Sequence, residues 1–142
     1  MTRADVRNAL ADLLEAGLSL PADNVKRALP GKFYGMSPVV LVLSGGSGHD
    51  VTSYGDVTPR YLLEVKWYVL LGKADDSEWS SADSEAQLDA LDAQIAALVE
   101  ANGVHALWKS LDYNGMSRVE DVMSIDGWIY RRESARLMAE CV

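Results

Sequence analysis

The sequence has one cysteine, one phenylalanine, two histidines and four prolines in 142 residues. With Cys141 alone no intrachain disulfide can form, which suits a reducing compartment. The longest purely aliphatic run, Val39 to Leu43, is far too short to cross a bilayer. Residues Met1 to Arg7 lack the unbroken apolar stretch of a secretory signal. A soluble protein made in the cytosol, with no membrane partner, is expected. Basic charge is also short: 13 Lys+Arg stand against 21 Asp+Glu, for a formal net charge of −8. Such a chain does not grip nucleic-acid phosphates over its whole surface.

What is present is ordinary for a globular protein: 49% hydrophobic and 24% charged residues. The length supports one core and predicts one domain over residues 1–142. The charge is unevenly placed. Residues 1–71 are neutral overall and the whole excess lies in residues 72–142. Half of the acidic residues there fall between Asp75 and Asp92, where no Lys or Arg occurs.

Few residues are available for catalysis. Ser44-Gly45-Gly46-Ser47-Gly48-His49-Asp50 lacks the Gly-Lys-Ser/Thr of a phosphate-binding loop. It also has His49 where a nucleophile elbow needs glycine. Ser47, His49 and Asp50 are too close in sequence to fold into a relay. His105 reads as a partly buried residue near a helix end, and nothing local activates Cys141. Asp75-Asp76-Ser77-Glu78 begins like a calcium loop, but lacks the central glycine and the closing glutamate. No Cys/His cluster exists for zinc. No catalytic residue, metal site or cofactor is expected.

Hydrophobic periodicity outlines the elements. Thr2 and Asp5 cap a first helix, Val6, Leu10, Leu13 and Leu14 share one face, and Gly17 supplies a stop. Residues 18–37 read as an irregular connection, with room for a helical turn at Asn24–Leu29. Val39–Leu43 predicts a strand covered on both sides. The glycine-rich stretch after it predicts a flexible loop reaching to Pro59. In Arg60–Leu71, Leu63, Val65, Trp67, Val69 and Leu71 alternate with Glu64, Lys66 and Tyr68, which marks a strand antiparallel to the first.

An acidic linker, Gly72–Ser81, leads to a long helix over Ser84–Asn102. Ser84 and Gln87 fit a capping box and Gly103 a C-terminal glycine. Leu88, Leu91, Ile95, Leu98 and Val99 form its core stripe, flanked by Glu85, Asp89, Asp92 and Glu100. Ala86, Ala90, Ala93, Ala97 and Ala101 line a further face, either as good helix formers or as a surface for close approach. Strands are predicted at Leu107–Tyr113 and Val119–Ile125, with turns at Asn114-Gly115 and Asp126-Gly127. Residues 128–142 fit a strand or a helix, and the strand is favoured. Four tryptophans and six tyrosines against one phenylalanine are the pattern of rings buried against partners. Loop glycines and exposed aromatics complete the candidate interface: Gly45, Gly46, His49, Asp50, Tyr54, Trp79, Tyr113 and Trp128.

The order of these elements resembles the tail terminator (tail completion) proteins of long-tailed bacteriophages, similar to the lambda tail terminator and related minor tail proteins. It runs from a first helix through a Pro38-Val-Val-Leu-Val-Leu strand, the Tyr61–Leu71 strand and the Asp83–Asn102 helix to Ile125-Asp126-Gly127-Trp128-Ile129-Tyr130-Arg131. The resemblance implies a small α/β (α+β) subunit, with helices packed on a mixed, largely antiparallel sheet. It implies a virion protein without enzymatic activity, assembled in the host cytoplasm as a hexameric ring. Such a ring caps the tail tube, stops its growth and docks the head–neck connector. Asp75, Asp76, Asp89 and Asp92 would then face a lumen through which DNA passes without specific binding. The other roles open to this sequence are a head–tail joining protein and a small cytosolic ligand-binding module.

Overall fold

The chain alternates a helix, a long β-hairpin, a second helix and a three-strand return. The computed structural model describes residues 2–30, 33, 35–51, 57–73, 81–123 and 127–142. The first helix, α1, spans Arg3–Leu18. Thr2 Oγ1 accepts from the Asp5 amide at 3.2 Å and Asp5 Oδ2 accepts from the Thr2 amide at 2.7 Å, so the predicted cap is made in both directions. These bonds hold the Asp5 carboxyl below its ordinary value. Val6, Leu10, Ala11, Leu14 and Leu18 are buried.

Gly17 does not stop this helix. The turn comes at Ser19, in left-handed conformation with φ 55°. Gly17 instead provides a contact: a Cβ there would lie 2.4 Å from Leu98 Cδ2, so its missing side chain lets the second helix approach. The helical turn expected at Asn24–Leu29 is replaced by a 3-10 turn at Ala22–Asn24 and a two-residue strand β1, Val25–Lys26. Asn24 directs this change, its Nδ2 donating to the Pro38 carbonyl at 2.8 Å beside the next strand.

That strand, β2, runs Val39–Val51, and β3 runs Val57–Lys73 antiparallel to it. Glycines 45, 46 and 48 therefore lie in a paired strand, not in the loop expected from the sequence. The register shifts by a bulge between Ser44 and Gly46. Glycine suits the bulge: a Cβ on Gly45 would sit 3.2 Å from the Leu62 carbonyl oxygen, and Gly46 has φ 152°.

The second helix, α2, spans Ser81–Ala101 and so starts before the predicted capping box. Ser84 is buried within it, and its hydroxyl donates to the Leu70 carbonyl at 2.9 Å, tying helix to sheet. At its other end Trp108 Nε1 donates to the Asn102 carbonyl at 2.8 Å. His105 stacks on the Trp108 ring with centroids 4.3 Å apart, the semi-buried place expected for it.

Three strands follow: β4, Trp108–Tyr113; β5, Arg118–Met123; and β6, Trp128–Cys141. The Asn114-Gly115 turn does not fold β4 onto β5. Both pair antiparallel with β6, β4 at its later residues and β5 at its earlier ones, and the Asn114 amide bonds to the Arg136 carbonyl between them. Residues 114–117 are thus a break within one side of β6. The sheet order is β1-β2-β3-β6-β4, with β5 also on β6; only β1 is parallel.

The fold is a mixed α+β one, with a largely antiparallel sheet. Both helices pack on one face, over Val40, Val42, Leu63, Val65, Trp67, Leu137 and Ala139. Burial of each large apolar side chain there contributes about 1.5–3 kcal/mol. On the opposite face Phe33, Val39, Leu41, Tyr68 and Tyr130 form a smaller cluster. Consecutive residues of Val39–Val42 thus enter opposite cores, as expected of a strand covered on both sides.

Candidate assembly surfaces

The outer side of α2 carries the alanine row. Ala86, Ala90, Ala93, Ala97 and Ala101 are all exposed, and so are Asp89, Asp92 and Glu100 along one side of the row. No Lys or Arg lies anywhere in the helix. Glu85 is paired with Arg131, which also binds Asp121 through Nη1 at 2.9 Å.

Acidity continues inward from this helix. Glu133 on β6 is only 7% exposed, and its Oε2 accepts from Ser117 Oγ at 2.6 Å. Burial pushes the Glu133 carboxyl up, and the nearby Asp92 and Asp89 push it further, against the lowering effect of Ser117. Burial, with the same Asp92 and with Glu133, raises the Tyr113 phenol. Tyr113 remains exposed, at 39%.

The side of the sheet away from the helices is different. Beyond the Phe33–Tyr130 cluster no other described element packs on it, and a groove of about 260 Å³ lies over β3, β6 and β5. Four cations line it: Lys66, Arg118, Arg132 and Arg136. Arg132 pairs with Glu120 and lies 5.8 Å from the Tyr68 ring centroid, while Lys66 reaches Glu64 at 3.9 Å. The Arg132 bond holds the Glu120 carboxyl below its ordinary value. Arg118 and Arg136 are exposed and have no ion pair among the described residues. No run of basic residues in the linear sequence announces this basic face. Its signal is the alternation of β6, which puts Arg132, Ser134 and Arg136 on one side of the strand.

The remaining candidates are dispersed. His49 is exposed at the hairpin end, edge-on to Tyr61 with centroids 6.1 Å apart. Gly45 and Gly46 form the bulge, and Asp50 pairs with Thr58 in the ladder. From the helix side Arg7 Nη1 donates to Ser44 Oγ and Arg3 Nη1 to Ser47 Oγ, each at 3.1 Å, which fixes the glycine-rich strand against α1. Trp128 is half-buried, its ring lying over Gly35, where a Cβ would be 2.9 Å from Trp128 Cζ2. Tyr54, Asp75, Asp76 and Trp79 lie outside the described residues.

No protein family matches the sequence, and no curated protein does. Among solved structures, the chain is similar to one from the virion of a native gene transfer agent particle. The two share the fold: the TM-score is 0.54, at 12% identity, over 96% of this chain and 94% of the other. Among the described residues no group of His, Cys, Asp and Glu is placed to hold a metal ion, and no helix is long and apolar enough to cross a membrane.

Proposed function

We propose that this chain is a structural subunit of a virion, acting as a tail terminator: a ring at the head-proximal end of a tail tube that stops its polymerisation and receives the head–neck connector. The observation that carries the reading is the end-to-end likeness to a chain of the gene transfer agent virion. The element order supports it independently, through its resemblance to tail terminators. The surfaces accord with an assembly role, since unlike charged faces on two sides of one subunit suit repeated contact between copies.

The test is to add purified protein to tail-tube subunits as they polymerise, and to measure tube lengths and end structures by electron microscopy. Short tubes carrying a ring at one end are expected. Tubes of unchanged length and bare ends would overturn the reading, and a ring bound only to the head-side connector would move the subunit to a head–tail joining role.

A further inference from the structure

The open sheet face and the outer side of α2 lie on opposite sides of the subunit and are opposite in charge. Arg118 and Arg136 are exposed in the groove and have no ion pair among the described residues. Met116, also lining the groove, is 96% exposed, an apolar side chain left almost entirely in water. On α2 the exposed carboxylates of Asp89 and Asp92 lie beside alanines that leave the helix surface low and flat.

We infer that α2 of a second copy seats on this open sheet face, with Asp89 and Asp92 meeting Arg118 and Arg136. The alanine row lets the helix axis come close to the strands, as small side chains do at helix interfaces. The same approach takes Met116 out of water. Charge complementarity fixes the register of such a contact and speeds its formation. Because the two patches differ and face opposite ways, each copy offers one to its neighbour on either side, the head-to-tail arrangement from which rings are built. Duplex DNA is the poorer occupant. Glu64 and Glu120 stand among the groove's cations, where a phosphate backbone requires a run of unopposed positive charge. The inference rests on the ring-forming role proposed above, and it places Asp89 and Asp92 between subunits instead of on a DNA channel.

The test is a charge swap in the whole chain, read by sedimentation velocity over rising protein concentration at low and high salt. Wild-type protein is expected to self-associate, less so as salt rises. The R118E/R136E variant and the D89K/D92K variant should each weaken association by about 10-fold or more. The four-fold variant carrying both reversals should recover most of it, a rescue that misfolding cannot produce. A wild type that stays monomeric overturns the inference, as does self-association unchanged by either reversal. So does duplex DNA binding lost in R118E/R136E, which would give the groove to phosphate. Tube capping that persists in R118E/R136E and in D89K/D92K, each tested separately, defeats this contact but leaves the terminator role standing; a wild type that does not cap tubes defeats the role.

Discussion

The Tyr130 hydroxyl donates to the Met36 carbonyl at 2.9 Å, joining residues 94 apart in the sequence. Tyr130 is fully buried, edge-on to Phe33 at 5.2 Å and to Tyr68 at 6.1 Å. This one side chain pins the segment before β2 across the sheet. Tyr130→Phe keeps the ring and leaves the Met36 carbonyl without this donor, so a loss of about 1 kcal/mol is expected in denaturant unfolding. Tyr130→Ala should cost roughly 3–5 kcal/mol, because the ring contacts go as well.

Glu133 makes stability depend on pH. Its folded-state pKa is raised, so the folded chain holds this proton more tightly than the unfolded chain does. Its contribution is present in full below the unfolded value and is lost as pH rises through the folded one. Ser117 faces it as a donor, while Asp89, Asp92 and Tyr113 add to the acidic surroundings. Glu133→Gln is expected to gain stability over wild type near neutral pH and nothing in acid. Unfolding curves between about pH 4 and pH 8 should show the gap opening with pH; a gap constant across that range would contradict this account.

Gly17 separates helix propensity from packing. Alanine is the better helix former by about 1 kcal/mol, but its Cβ would press on Leu98. Gly17→Ala should therefore destabilise the wild type by about 1 kcal/mol net. In a Leu98→Ala background the same change should stabilise. A double-mutant cycle by thermal unfolding measures the reversal.

Gly115 tests the break between β4 and β5. Its φ is 89° and a Cβ would touch nothing within 4 Å, so a substitution there meets only backbone strain. Gly115→Ala is expected to cost about 1–2 kcal/mol. Hydrogen exchange should speed up at residues 114–118 more than in α2.

Legibility followed how local each signal was. Arg60–Leu71 is legible as a strand because Leu63, Val65, Trp67 and Val69 bury one side, whereas residues 128–142 also fit a helix because Tyr130 and Glu133, buried on opposite sides of β6, interrupt its alternation. α2 starts earlier than its sequence suggests because Ser84 and Gln87 imitate a cap, whereas the Ser84 hydroxyl is used on β3. The glycine-rich run has too few side chains to show a period, and its pairing comes from β3. Asn114-Gly115 signals a turn but not which strand receives the chain afterwards, and both flanking strands chose β6. The basic groove was invisible for a related reason. Lys66, Arg118 and Arg136 become neighbours only through the β3–β6 and β5–β6 registers. The alanine and acidic rows of α2, by contrast, were readable from helical spacing alone.

The position of β6 has a consequence for how the molecule forms. It is the last strand along this sequence, yet it lies between β3 on one side and β4 with β5 on the other. Until it arrives, β3 has a bare edge and the two short strands have no partner in the described sheet. The seam must then close over contacts far apart in sequence, which are slow to form. Both surfaces proposed above to meet between copies depend on that closure, because the groove includes β6 residues and α2 packs partly on β6. A nascent or half-folded chain therefore presents neither surface in finished form, and the contact proposed between copies must wait for folding to end.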